Sequence, residues 1–159
     1  FADSILQAVE MPLEEQVRIQ CGRLGITEWV LFLGEVPYER LPNVYAASDV
    51  AVIPSYYESF CFSALEAMAS GLPVVTTRTD WVPKLIDGGR GGVVVPIDDS
   101  TAMSAALLDL ARDPARRREL GAFNVKHVAV EYGWETSVRS LMDVYRQVIE
   151  RGQKRRETL

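Results

Sequence analysis

The sequence predicts an α/β fold: a doubly wound parallel sheet followed by a helical C-terminal end. Four short apolar runs recur along the chain, at residues 29–34, 49–54, 73–77 and 91–96. Strands that are covered on both faces, as in parallel sheets, have this near-continuous apolar composition. Segments with helical spacing of apolar residues separate the runs, and parallel strands need such crossover connections.

Glycine and proline residues indicate where the helices before and between these strands end or break. Residues 13–25 have apolar residues at helical spacing, and Gly25 is a typical stop at the C-terminal end. Residues 37–48 predict a helix that Pro42 divides into two short pieces, because proline cannot donate a backbone hydrogen bond.

The last sixty residues predict three consecutive helices. The first covers residues 98–113 and starts near Ser100 or Thr101, beside acidic residues that favour a helix N-terminus. The second, residues 114–133, begins with a proline, which is favoured at the first helical position. The third, residues 134–152, carries one continuous apolar face.

Composition limits the class of protein. The 159 residues are 48% hydrophobic and 25% charged, as expected for one globular domain, to which we assign residues 1–152. Residues 153–159 lack a hydrophobic pattern, so we expect a flexible tail. The net charge of −5 argues against a nucleic-acid partner.

Cellular location is predicted from what the sequence lacks. Two cysteines form neither a disulfide framework nor a metal site, which fits a reducing compartment. The sequence shows no signal peptide and no apolar run near twenty residues, so we expect a cytoplasmic protein. Because the chain opens on Phe1 rather than Met, we expect an excised fragment.

The junction after residues 49–54 is the richest candidate site. Ligands of such sheets bind beyond the carboxyl ends of the strands. Here a loop leads into a helix that we expect to begin between Ser59 and Ser63, and a helix N-terminus favours phosphate. The sequence has no dinucleotide fingerprint, since Gly89-Arg90-Gly91 precedes a strand and is interpreted as a turn.

Two glutamates flank this helix start, Glu58 in the loop and Glu66 on the helix. Eight residues along a helix would leave them about 80° and about 12 Å apart, too far for a general acid and base on one face. They suit instead the recognition of two parts of an extended ligand. Two structural alternatives stay open: Ser63 and Glu66 match a capping box, and Glu58 fits a solvated loop.

The stretch FLGEVPYERLPNVYAASDVAVIPSYYESFCFSALEAMASGLPVVTT resembles the C-terminal, donor-binding domain of retaining glycosyltransferases of the GT-B fold, the GT4 group. The family pattern contains FLG-x-V, LYAAADV, PS-x-x-E-x7-E and A-x-GxPVVA, and Glu58 and Glu66 match its two glutamates. The resemblance extends over about residues 13–149 and implies a Rossmann-like domain.

The resemblance implies an enzyme that transfers a sugar from a nucleotide diphosphate sugar to a hydroxyl acceptor, without a metal or other cofactor. Glu58 is the implied catalytic residue, which contacts the transferred sugar, and Glu66 would accept hydrogen bonds from the ribose. Val36 would line the nucleobase. The remaining donor-binding positions lie at the helix start: Ser59, Phe60, Cys61 and Phe62.

The sequence departs from the family pattern in three places. Glycine is usual where Cys61 stands, and Asp80, Trp81 and Lys84 replace parts of a Gly-Gly-x-x-Glu loop. The family's first two strands, with their arginine and lysine for the diphosphate, and its acceptor domain have no counterpart. We therefore expect an inactive fragment in which residues 29–34 pair directly with residues 49–54, or in which a homo-oligomer shares strands.

Two other functions remain open. A sugar-nucleotide 2-epimerase of the same fold would share donor recognition but transfer nothing. A degenerate, non-catalytic assembly module would fit the changes at Cys61, Asp80-Trp81 and Lys84. The basic clusters at residues 116–118 and 154–156 indicate a solvated face, or a peripheral membrane contact of the parent protein.

Overall fold

The structure is a computed structural model that describes residues 11–79 and 81–157. It divides into an N-terminal unit, Phe1–Tyr38, and a C-terminal unit, Glu39–Leu159. In the first unit, helix α1 (Leu13–Leu24) ends at Gly25, whose φ of 67° lies in the left-handed region. Glycine adopts this conformation without a steric penalty, so the predicted helix stop is confirmed.

Residues 29–34, predicted as a buried strand, form none, and that prediction is wrong. Trp29 closes a 3-10 turn (Thr27–Trp29), and residues 30–34 have no regular structure. The Leu31 side chain is 81% exposed. A strand requires a neighbour for its backbone groups, and apolar composition alone does not supply one.

The sheet lies in the C-terminal unit and, within the described residues, has three parallel strands in the order β1-β2-β3. These are β1 (Ala51–Ile53), β2 (Val74–Thr77) and β3 (Gly92–Val95), with Val52, Val75 and Val93 in register. Three of the four predicted strands are therefore confirmed. Because residues 29–34 form no strand, the expected pairing of two strands has no basis, and strand sharing between chains stays a prediction.

Short helices connect the strands. A 3-10 turn (Tyr38–Arg40) leads into α2 (Leu41–Ala46), so the predicted division at Pro42 is confirmed, with proline in the first turn. Helix α3 (Phe62–Ala69) joins β1 to β2. Helix α4 (Val82–Leu85) and a 3-10 turn (Asp87–Gly89) join β2 to β3, which confirms the turn predicted around residue 90.

Three helices complete the chain: α5 (Ser100–Arg112), α6 (Pro114–Glu131) and α7 (Trp134–Glu157). Helix α5 is capped by Asp99, whose side chain accepts a hydrogen bond from the Ala102 amide at 2.8 Å. The cap therefore lies just before the serine and threonine that marked the helix start in the sequence. Helix α7 continues beyond residue 152, where we expected the tail to begin, and the flexibility of the tail stays a prediction.

The sheet is covered on both faces, which confirms the doubly wound architecture. Val74 belongs to one core with Met68 and Leu85, whereas its neighbour Val75 belongs to a second core with Leu110. Successive strand residues point to opposite faces, so adjacent valines serve different cores.

The basic cluster at residues 116–118, for which a solvated face or a membrane contact was expected, lies in the first turn of α6. Arg117, in the first basic cluster, donates hydrogen bonds to the carbonyls of Leu110 and Ala111, so it caps α5 rather than forming part of a fully solvated face. In the part of the chain that the structure describes, no helix combines the length and the apolar character needed to cross a bilayer.

Candidate functional site

The candidate site is built where β1 ends and α3 begins. Pro54 follows β1, a loop carries Glu58, and α3 starts at Phe62 with Cys61 at the N-cap position. This confirms the helix start expected between Ser59 and Ser63. Small residues on the inner face of α3, Ala64 and Ala67, are fully buried and hold the helix against the sheet.

Cys61 has a backbone conformation that favours glycine. Its φ of 69° and ψ of 67° lie in the left-handed region, where a side chain costs about 1–2 kcal/mol. Glycine is usual at this position in the family pattern, and the backbone angles supply a physical reason for it. The thiol is only 4% exposed. Burial raises the pKa of the Cys61 thiol, so it stays protonated and is a packed group rather than a nucleophile.

Glu66 is not part of a capping box, so that interpretation is wrong. Because the N-cap is Cys61, Ser63 is already the second residue of α3, and no side chain caps this helix. Instead, the Tyr45 hydroxyl donates a hydrogen bond to Glu66 Oε2 at 3.1 Å. The carboxylate of Glu66 is therefore not occupied by the backbone at the helix start.

Glu58 is half-buried and also held by a hydroxyl. Ser55 Oγ donates to Glu58 Oε1 at 2.6 Å, which fixes the loop just after β1. Glu58, Ser55, Tyr45 and Ser63 line a groove of about 350 Å³ that runs along β1. Glu66 does not line this groove itself, but its hydrogen-bond partner Tyr45 does.

Aromatic rings flank the start of α3. The Phe60 ring lies 5.0 Å from Phe62 and 5.7 Å from Trp81, between ring centroids. Phe62 is 68% exposed, whereas Trp81 is 41% exposed and packs partly on Phe60. Lys84 Nζ lies 5.2 Å from the Trp81 ring, a cation–π distance. Trp81 is therefore packed within the loops beside α3, while Asp80 lies outside the described residues.

The structure brings together most of the predicted site residues. Glu58, Ser59, Phe60, Cys61 and Phe62 are consecutive along the loop into α3, and Glu66 lies one helical turn further on. Val36 belongs to the N-terminal unit, so its role at the nucleobase stays a prediction.

Tyr45 and Ser55 were not predicted as site residues, although both occur in the quoted motifs. The Tyr45 hydroxyl contacts Glu66 because the fold brings α2 to α3, whereas the Ser55 hydroxyl contacts Glu58 within one loop, three residues along the chain. The only signal in the sequence was that each lies within a stretch matching the family pattern, YAASDV and PS-x-x-E.

A second cavity, of about 390 Å³, lies at the same edge of the sheet. It is lined by Tyr56, Thr77 and Asp98, and the Tyr56 hydroxyl donates to the Asp98 carboxylate. Neither Glu58 nor Glu66 lines it. The candidate site is therefore the groove beside Glu58, where several polar groups converge on one space.

Known proteins share this sequence and fold. The family described as Glycosyl transferases group 1 matches residues 8–113. The D-inositol 3-phosphate glycosyltransferases of Corynebacterium kroppenstedtii and Corynebacterium jeikeium are 42% and 38% identical over 129 and 134 residues. These alignments cover 81% and 84% of this chain but 28% and 32% of the relatives, so the chain spans about a third of their length.

Two solved structures show the same architecture. Sucrose-phosphate synthase from Thermosynechococcus elongatus superposes with a TM-score of 0.77 and 32% identity over 86% of this chain and 35% of its own. The C-terminal domain of a group 1 glycosyl transferase from Francisella tularensis gives a TM-score of 0.69 and 25% identity, over 76% of this chain and 63% of that domain's chain. The three-stranded parallel sheet with a long C-terminal helix thus matches a GT-B C-terminal domain.

The family match includes β1, the loop with Glu58, and the start of α3 with Glu66. On this sequence match and this fold, the chain belongs to the group 1 glycosyltransferases.

Proposed function

We propose that this chain is the donor-binding part of a retaining glycosyltransferase and binds a nucleotide diphosphate sugar. The observation that carries the proposal is the placement of Glu58 and Glu66 on either side of the α3 start. Each uses one carboxylate oxygen to accept a hydrogen bond from a neighbouring hydroxyl. Because a carboxylate has about four acceptor positions, both retain capacity for the hydroxyls of a sugar.

The N-terminal end of α3 offers a suitable position for the diphosphate of the donor. The first amides of a helix lack partners within the helix, and the positive end of the helix dipole favours an anion. Glu58 precedes this helix start and Glu66 follows it. A donor with its diphosphate at the α3 start would direct its sugar toward Glu58 and its ribose toward Glu66, and it would need no metal.

The acceptor is proposed from the relatives. The curated relatives are named for D-inositol 3-phosphate, so we propose a phosphorylated cyclitol as the acceptor of the parent protein. In the proposal, this chain alone transfers no sugar. A transfer assay on the parent protein tests this: D-inositol 3-phosphate should be glycosylated, with retention, and equally well after chelation of divalent metals.

Donor binding is tested on the chain itself. UDP-, GDP- and ADP-glucose are titrated into the labelled chain and followed by NMR, which detects weak binding. We expect Glu66→Ala to weaken the best donor by about tenfold or more, since a hydrogen bond to a charged group contributes about 1.5–3 kcal/mol. Glu119→Ala, at an exposed position of α6, is the matched control and should bind normally. Unchanged affinity in Glu66→Ala would contradict the ribose role.

A non-catalytic assembly module is the second candidate, and the strained backbone at Cys61 favours it. A side chain at this turn narrows the approach of a ligand to the backbone. If the chain and the parent protein bind none of the three donors, the module is the better description. A sugar-nucleotide 2-epimerase is distinguished by its product, an epimerised sugar nucleotide formed without an acceptor.

A further inference from the structure

We infer that Tyr45 is a positioning residue for donor recognition: its hydroxyl holds the Glu66 carboxylate so that the second oxygen faces the ribose. This inference rests on the proposed function, because it assigns a partner to Glu66 within the same site. It adds a residue from α2, which precedes β1 in the chain, to a site otherwise built from the β1–α3 junction.

The contact is specific and fixed at both ends. The Tyr45 hydroxyl lies 3.1 Å from Glu66 Oε2, and the two residues are 21 positions apart in the sequence. The Tyr45 ring packs against the buried core beneath β1, so the phenol has little freedom to move. Glu66 projects from the second turn of α3, whose inner face is fully buried at Ala67.

The hydrogen bond leaves Glu66 able to bind a ligand. It uses one of the acceptor positions on Oε2, and Oε1 has no hydrogen-bond partner among residues 11–79 and 81–157. A glutamate side chain loses rotamer freedom when it binds, and a partner that already restricts the carboxylate reduces that entropic cost. Tyr45 therefore preorganises the free oxygen.

Tyr45 remains a donor under ordinary conditions. Burial raises the pKa of the Tyr45 phenol above its ordinary value of 10.0, and the hydrogen bond to Glu66 raises it further. The phenol thus stays protonated near neutral pH and continues to donate.

A second observation places Tyr45 at the border of the candidate groove. Its side chain lines the groove of about 350 Å³ that Ser55 and Glu58 also line. The alternative, a purely structural tie, predicts equal weakening for every ligand of the site.

The test compares nucleotides with and without ribose hydroxyls. UDP, GDP and ADP are titrated into the chain by NMR, and the one that binds best is compared with its 2′,3′-dideoxy analogue. In the unmodified chain, we expect the ribonucleotide to bind about tenfold more tightly, since a site that hydrogen-bonds a hydroxyl discriminates against its absence. Tyr45→Phe, which keeps the ring, should weaken the ribonucleotide about three- to tenfold and leave the dideoxy analogue within twofold.

Two controls accompany this comparison. Tyr145→Phe makes the same chemical change at an exposed position of α7 and should alter neither affinity. The double variant Tyr45→Phe/Glu66→Ala should bind the ribonucleotide no more weakly than Glu66→Ala alone, because Tyr45 acts only through Glu66. Thermal unfolding of each variant verifies that it is folded.

Different results would overturn the role of Tyr45 and the proposed donor binding. If Tyr45→Phe weakens both nucleotides equally, or neither, while Glu66→Ala still weakens the ribonucleotide, then the inference is overturned and the proposed function stands. If Glu66→Ala has no effect, or no nucleotide binds, the proposed function is overturned and the inference with it.

Discussion

At the scale of the single residue, Cys61 combines a strained backbone with a buried side chain. Its left-handed backbone begins α3, and its thiol is buried in the core that also contains Met68. Glycine would relieve the strain but would lose the buried sulfur. The strain that is relieved and the packing that is lost are of similar size, so the change in stability depends on which residue replaces the cysteine.

We predict that the Cys61→Gly chain is more stable than the Cys61→Ala chain by about 1 kcal/mol, the reverse of the usual order. Alanine keeps a strain of about 1–2 kcal/mol, whereas glycine avoids it at an entropic cost of about 0.5–1 kcal/mol. Urea unfolding measures the difference. The same pair at Lys126, exposed on α6, should favour alanine by about 1 kcal/mol. Equal stabilities of the two Cys61 variants would contradict the left-handed backbone.

At the scale of the element, α6 joins segments that are distant in the sequence. Asn124 is fully buried, and its Nδ2 donates to the carbonyls of Leu72 and Gly91, at 2.7 and 2.8 Å. Those carbonyls lie just before β2 and β3. One side chain therefore satisfies the backbone at the entrances of two strands.

A glycine and a histidine bring the same helix close to its neighbours. A Cβ atom at Gly121 would lie 2.1 Å from the carbonyl oxygen of Gly71, so only glycine lets α6 approach this turn. His127 Nε2 lies 3.1 Å from the Leu85 carbonyl oxygen, at the end of α4. His127 thus has a packing role between α6 and α4.

We predict that Asn124→Leu destabilises the chain by about 3 kcal/mol. Leucine fills a similar volume but leaves the buried Leu72 carbonyl without a donor, at about 1–3 kcal/mol. The Gly91 carbonyl loses one of two donors and keeps the Val74 amide at 3.3 Å, a loss of about 1 kcal/mol. The measurement is the free energy of unfolding in urea. Asn43→Leu, at an exposed position of α2, should change it by less than about 0.5 kcal/mol. A loss of equal size in both variants would show that Asn124 contributes no special hydrogen bonds.

At the scale of the whole molecule, several acidic protons are held more tightly in the folded state. Burial raises the pKa of Tyr45, Cys61 and Tyr132 above their ordinary values of 10.0, 9.0 and 10.0. For Tyr132, the negative charges of Glu131 and Asp87 raise it further. The unfolded chain therefore loses these protons at lower pH than the folded chain does.

We predict that stability is full below pH 9 and falls as the pH rises through 9 and then 10. The sign follows from linkage: above its ordinary pKa each group binds more protons when folded, so raising the pH favours unfolding. Urea unfolding at pH 7.5, 9.5 and 10.5 measures the change. Tyr132→Phe removes one group and should make the dependence on pH shallower. A stability that is constant or increases over this range would contradict the prediction.

The sequence was sufficient wherever the signal is local. Turn chemistry predicted the end of α1 at Gly25 and the start of α3 near residue 62. Apolar runs predicted the three parallel strands. The same reasoning failed for residues 29–34, because an apolar run does not specify whether a pairing partner is present. It also misassigned Glu66 to a cap, since the S-x-x-E spacing does not show which residue starts the helix.

The sequence by itself determined the α/β class, the family, and the two glutamates that flank the start of α3. Only the tertiary structure decided what Glu66 contacts, which backbone angle Cys61 adopts, and why α6 needs Gly121 and Asn124. The physical reason is distance along the chain. Periodicity and end signals act over a few residues, whereas Tyr45 and Glu66 meet only after α2, β1 and α3 have packed.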